Sequence, residues 1–243
     1  MEEIKKNEKK VNNTAIKQFV NADWGYGRSL LHLAVEQDDF KLVKQCIQFN
    51  ADVNKIDNYG ETALFTCRSF EIAKYLVDNG TDVNILDNGG DTAIVRLYYR
   101  KDSDIIKYLA GITNLDLEGG KDNSSTLLHK MISNEEIDLS LFEIVIPRTI
   151  NINRIDHNSN SYLINAVKNT KYLDVIKKLV ESGIDLYIKN QGGKNFYDLS
   201  YRYVQKEIER NYPEFMKRKG MTDQQRQRFD KLIQLNSISN CED

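Results

Sequence analysis

Proline is almost missing from this chain, cysteine and histidine are rare, and no long apolar run interrupts it. Two prolines in 243 residues leave long stretches open to helix, because the ring that removes an amide donor and clashes with the preceding turn seldom intervenes. Three cysteines, Cys46, Cys67 and Cys241, lie far apart with no C-x-x-C pair, which argues against a metal or redox role and for a reducing compartment. The formal charge is only −2 and the pI about 6.0, so the concentrated basic face that nucleic-acid binding requires is not expected. No segment approaches the roughly 20 apolar residues of a membrane span, and residues 1–10 lack the apolar core of a secretory signal. The expected location is the cytoplasm, a host cytoplasm included, with no nucleic-acid and no membrane partner.

What is present is one segment several times over. Gly27-Arg-Ser29-Leu-Leu-His32-Leu-Ala34 is answered by Gly60-Glu-Thr62-Ala-Leu-Phe-Thr-Cys67 and Gly90-Asp-Thr92-Ala-Ile-Val-Arg-Leu97. Weaker copies surround Thr126, Ser161 and Asn195. The anchors at 29, 62, 92, 126, 161 and 195 are 33, 30, 34, 35 and 34 residues apart. A period in this range predicts a stacked array, in which no unit buries its apolar face alone. Within a unit the hydroxyl can cap a helix, the glycine before it permits a positive φ, and apolar residues at three- and four-residue steps mark paired amphipathic helices. The Gly or Asn after the second helix suits a left-handed cap.

The unit resembles the ankyrin repeat. Residues 29–34, Asn50-Ala51-Asp52-Val53-Asn54 and Gly80-Thr-Asp82-Val83-Asn84 carry the resemblance, which covers residues 23–205. It implies an all-α solenoid of helix-turn-helix units with protruding loops, divided at about 23–56, 57–86, 87–118, 119–155, 156–189 and 190–205. Residues 1–22 are expected to form an N-terminal capping helix, and 206–243 a C-terminal helical cap and tail. In the tail, Thr222 opens a candidate helix with Phe229, Leu232 and Ile233 on one face. The pattern's proline is replaced throughout, by Leu30, Ala63, Ala93, Leu127, Tyr162 and Phe196, so a less rigid array is expected. The second repeat is short between Cys67 and Ala73, which predicts a tighter turn between its helices. In the fourth, Pro147 should close a helix over 137–146. The stretch 111–125 lacks a G-A-D-x-N ending, so the array is expected to open there first.

No catalytic constellation is evident, and no catalytic residue, metal site or cofactor is expected. His32 and His129 occupy the repeat's structural position, His157 a loop tip, and Gly192-Gly193-Lys194-Asn195 lacks the G-K-[ST] step of a phosphate loop. The remaining function is binding of a partner protein, by a chain that is monomeric when free. In ankyrin-like arrays the loop tips and the exposed side of the first helices form a concave face. The residues of this chain in those slots are Trp24, Tyr26 and Arg28, then Tyr59, Glu61 and Arg68, then Tyr99 and Arg100. Aromatic and arginine side chains carry much of the energy of interfaces. The alternative is an inhibitor, immunity or effector protein that occludes an enzyme or toxin, with the C-terminal segment contributing. The spacing of Leu76 and Asn84 also resembles the ankyrin pattern accepted by asparaginyl hydroxylases, which makes Asn84 a candidate for modification.

Overall fold

Each unit begins where a short polar side chain ends an extended stretch. Ser29, Thr62, Thr92, Thr126, Ser161 and Asn195 all have extended backbone immediately before a helical turn, the geometry of an N-cap, whose oxygen can accept the otherwise unpaired amides of the first turn. Thr126, Ser161 and Asn195 accept such amides directly. The computed structural model describes residues 14–100, 103–117, 126–134, 138–156, 158–168 and 173–218. In the first unit, α2 (Leu30–Glu36) and α3 (Phe40–Gln48) follow a lone helix α1 at 14–20. The second has a single 3-10 turn (Ala63–Thr66) before α4 (Phe70–Asp78), and the third α5 (Ala93–Tyr99) and α6 (Ser103–Ala110). The fourth has α7 (Leu127–Ser133) and α8 (Leu139–Val145), the latter running into a 3-10 turn over Ile146–Arg148. The fifth has α9 (Tyr162–Val167) and α10 (Leu173–Glu181), and the last α11 (Phe196–Leu199), α12 (Arg202–Asn211) and α13 (Pro213–Arg218). Among the described residues the only extended pairing is two isolated bridges, Leu86 with Thr92 and Ile155 with Ser161, both in the loops.

Apolar residues from both helices of every unit merge into one core that runs the length of the stack, from Leu31 to Phe215. Cys46 and Cys67 belong to it as small apolar groups, and burial pushes both thiols up to about 11, which keeps them protonated and unreactive. Left-handed residues punctuate the stack as expected: Asn50 and Gly80 follow second helices, and Gly60 and Gly90 precede the capping threonines. A Cβ on Gly60 would lie 2.9 Å from the Asn88 amide of the next loop, so this glycine serves the stacking of loops as well as its own φ. Ser159 takes the corresponding place in the fifth unit with φ +58°, at a strain that non-glycine residues seldom bear.

Three expectations change in detail. The shortage in the second repeat falls on the first helix itself, which is reduced to a 3-10 turn, and Cys67 continues in extended backbone. The fourth repeat's second helix ends at Val145, one residue before the expected bound, and Pro147 sits inside the 3-10 turn that follows, where a missing amide costs nothing. In the third repeat Gly111 follows α6 directly, and Asn114, Leu115 and Asp116 take the loop positions of Gly80, Thr81 and Asp82, as the loop hydrogen bonds described below demonstrate; residues 118–125 lie outside the described residues. His157 and the candidate helix from Thr222 lie outside the described residues.

Candidate functional site

A ladder of carboxamides holds the protruding loops in register. Asn21 accepts the Asp52 amide at 2.7 Å and donates to the Asn50 carbonyl at 3.1 Å. Asn54 does the same with the Asp82 amide and the Gly80 carbonyl, at 2.7 and 3.1 Å, and Asn84 with the Asp116 amide and the Asn114 carbonyl, at 2.7 and 2.9 Å. Asn153 accepts the Asp185 amide at 2.6 Å. The candidate modification residue Asn84 is therefore a rung of this ladder, with both polar atoms engaged.

The loop tips are tied separately. The Asn58 amide donates to the Tyr26 carbonyl at 2.9 Å and the Asn88 amide to the Tyr59 carbonyl at 2.8 Å. Behind each tip an aspartate folds the turn: Asp57 accepts the Tyr59 and Glu61 amides at 2.8 and 3.0 Å, and Asp87 the Asp91 amide at 2.9 Å, which are Asx-turn bonds. Tyr26 itself has φ +59°. With the backbone so held, the side chains of Tyr26 and Tyr59 project outward, 70% and 58% exposed. Tyr99, at the end of α5, is 59% exposed, with the Lys130 ammonium 5.4 Å from its ring. Arg68 is also exposed.

The other expected binding residues have work inside the fold. Trp24 packs edge-on against Phe19 of α1, with ring centroids 5.0 Å apart, and its indole nitrogen donates to the Phe19 carbonyl at 3.3 Å. Arg28 bonds Glu36 at 3.0 Å and lies 3.9 Å from Asp57. Glu61 pairs with Arg96 at 2.7 Å, and Arg96 also reaches Asp87 at 3.3 Å. Arg100 donates to the Cys67 carbonyl at 2.9 Å and the Phe65 carbonyl at 3.4 Å, the free carbonyls left by the truncated helix of the second repeat. Arg96 is missing from the sequence-based set; its signal was an arginine four residues after a capping threonine, on the side of the helix turned toward the preceding unit.

The histidines are structural, as expected. His32 Nδ1 accepts from the Ser29 amide at 3.0 Å and lies 2.9 Å from its hydroxyl, which leaves Nε2 as the donor to the Glu61 carbonyl at 3.1 Å. His129 Nδ1 lies 2.9 Å from the Thr126 hydroxyl, which in turn lies 2.9 Å from the Tyr162 hydroxyl. Burial lowers the pKa of both imidazoles, that of His129 to about 4, so both are neutral at physiological pH. Among the described residues no group of three or more His, Cys, Asp or Glu side chains could hold a metal ion, and no helix is long and apolar enough to cross a membrane.

The comparisons agree with this architecture. The family model for ankyrin repeats (three copies) matches residues 7–87. The fold is similar to that of the ankyrin-repeat domain of Bcl-3, a member of the IkappaB family, with a TM-score of 0.68 at 21% identity over 82% of this chain and 92% of that one. It is also similar to the ankyrin-repeat protein EF0377, with a TM-score of 0.64 at 24% identity over 77% and 97%. A third similar chain comes from the complex of the Bdellovibrio bacteriovorus predatory endopeptidase Bd0816 with immunity protein Bd3460, with a TM-score of 0.60 at 23% identity over 74% and 94%. No curated protein matches the sequence. Residues 7–87 carry ankyrin repeats, and the described chain has the fold of an all-α ankyrin-repeat solenoid; ankyrin repeats generally mediate protein–protein interaction.

Proposed function

We propose that the protein binds another protein, without catalysis, through the loop tips and first helices of its first three repeats. The observation that carries this reading is the set Tyr26, Tyr59 and Tyr99, three large side chains more than half exposed on consecutive units, presented by backbone that hydrogen bonds already hold. Pre-ordered aromatics lose little entropy on binding and bury much area, which makes them efficient anchors. Arg68 adds a fourth. Trp24, Arg28, Glu61 and Arg100 lie on the same units, where they also make contacts within the fold. The free protein is a monomer in the cytoplasm on this reading, where its buried thiols stay reduced.

The test is capture of the partner by the full chain, followed by titration of single alanine variants. Tyr26→Ala, Tyr59→Ala or Tyr99→Ala should weaken the complex by about 1 to 3 kcal/mol, roughly five- to hundred-fold in Kd, with the melting temperature unchanged. Unchanged affinity in all three would sink the proposal. A second reading, occlusion of an enzyme, is favoured by the similarity to a chain from an endopeptidase–immunity protein complex. On it the captured partner has a turnover that the wild-type chain suppresses and the tyrosine variants do not. Asn84 is proposed as a substrate for asparaginyl hydroxylation where the protein meets such an enzyme. A gain of one oxygen in intact mass, lost in Asn84→Gln, is the expected result.

A further inference from the structure

One apolar side chain is on the wrong side of its slot. The ladder bonds place Thr81, Leu115 and Ile184 just before the residues whose amides Asn54, Asn84 and Asn153 bind, and Ile150 takes the same place by spacing, three residues before Asn153 as Thr81 is before Asn84. Thr81, Leu115 and Ile184 are 6%, 5% and 4% exposed, whereas Ile150 is 87% exposed. Ile146–Arg148 before it winds as a 3-10 turn, and the Arg148 guanidinium reaches back to the carbonyls of Ala110, Ile112 and Leu115 in the third repeat.

Thr149, the chain neighbour of Ile150, lines an open groove of about 490 Å³ between α8 and α10, together with Phe142, Ile146, Pro147 and Ile152. Its rim is polar: Lys178 pairs with Glu143 at 2.7 Å, and Glu181 also lines it. The C-terminal helices start nearby. Phe215 of α13 packs against Tyr187 and Phe196 with ring centroids 5.3 Å apart. The Tyr212 phenol is raised first by burial and then by the Glu181 carboxylate. The described chain ends at Arg218, and 25 residues follow in the sequence, including Phe229, Leu232 and Ile233 on the apolar stripe of segment 222–235. The stretch from Arg218 to Phe229 reaches about 16 Å even if wholly helical, and about twice that if extended. That segment and the basic run Lys217-Arg218-Lys219 before it carry net positive charge, the sign opposite to that of Glu181, the rim carboxylate not paired with Lys178.

We propose that the groove between the fourth and fifth repeats is the docking site of this chain's own segment 222–235, with Phe229, Leu232 and Ile233 covering Ile150 and the groove floor. The site lies on the second-helix side of the stack, away from Tyr26, Tyr59 and Tyr99, and does not rest on the proposed binding surface. Its role is to bury apolar surface that the stack itself leaves open at its weakest-patterned repeat.

Hydrogen exchange of the full chain, read by mass spectrometry, tests it from both sides. Leu232→Asp with Ile233→Asp should speed exchange in 142–152 and 178–182 at least about tenfold, and Ile150→Ser should speed exchange in 226–235 by a similar factor, because docking protects both partners equally. Ile150 is solvent-exposed in the stack, so its substitution leaves the repeats folded, and unchanged exchange in repeats one and two verifies this. Unaltered exchange at the opposite element in either variant overturns the proposal. So does protection of the groove that rises with protein concentration, which would assign it to a second copy of the chain.

Discussion

Thr62 and Thr126 hold the same place in the repeat but not the same bonds. Three residues after Thr126 stands His129, and the hydroxyl links the His129 amide at 3.1 Å, the imidazole and the Tyr162 hydroxyl. Three residues after Thr62 stands Phe65, and the buried Thr62 hydroxyl has no hydrogen-bond partner. Replacing a buried hydroxyl costs what its bonds were worth, plus the orphaning of its partners. Thr126→Val should therefore lower stability by about 1 to 3 kcal/mol, and Thr62→Val by less than about 0.5 kcal/mol or not at all; denaturant titration of the two isosteric variants compares them. His129 adds a pH dependence. Its folded pKa of about 4 lies below the ordinary 6.5, so the unfolded chain binds the proton more readily. The neutral ring's contribution is whole above pH 6.5, falls as the pH drops from 6.5 toward 4, and loses up to about 3 kcal/mol. Asp156 opposes this depression, while Arg154 and Lys130 add to the burial effect. In His129→Asn the slope of stability against pH in that window should flatten, leaving the contribution of His32, whose pKa burial lowers in the same direction.

At the scale of elements, two arginines repair two irregular units. Arg100 satisfies carbonyls at the end of the 3-10 turn that replaces a first helix in the second repeat. Arg148 does the same for the loop after α6, where the third repeat offers Glu118 rather than asparagine for the next rung of the ladder. Arg100→Ala should cost about 1 to 2 kcal/mol of stability, so a loss of binding in that variant would report on the fold rather than on an anchor. Arg148→Gln should open the junction between the third and fourth repeats before any other, seen as faster amide exchange over 110–117 while 30–54 keeps its protection. Equal exchange in variant and wild type across 110–117 would show that the guanidinium holds nothing there. The capping residues, the helix pairs and the left-handed positions were legible in the sequence because each follows from a local preference. The loop register of the third repeat was not, because its Asn114-Leu115-Asp116 departs from the repeat's pattern and the register depends on which carbonyl Asn84 meets. Neither arginine could be read as a staple, since its carbonyl partners lie about one repeat earlier in the chain.

For the whole molecule, stability in a stack is a sum of units and their interfaces. The continuous core from Leu31 to Phe215 and the carboxamide ladder are the interface terms, and both run through every unit the tyrosine surface uses. Asn54→Ala removes a rung between the first two repeats and leaves the Asp82 amide and Gly80 carbonyl without it. The expected loss is about 1 to 3 kcal/mol, with fewer cooperative units unfolding together in a denaturant transition. A shift in the midpoint with the slope unchanged would mean that the rung stabilises without coupling the repeats. By itself the sequence determined the class of fold, the six anchors and the places of His32 and His129 in the repeat, because period, capping and helix pattern are properties of residues near one another in the chain. Only the tertiary structure decided how the candidate binding residues are engaged. Tyr26, Tyr59, Tyr99 and Arg68 face solvent, while Arg28, Glu61 and Arg100 are engaged by Glu36, Arg96 and the carbonyl of Cys67. That distinction turns on distances between neighbouring units, set by how the units stack rather than by any residue's own preference.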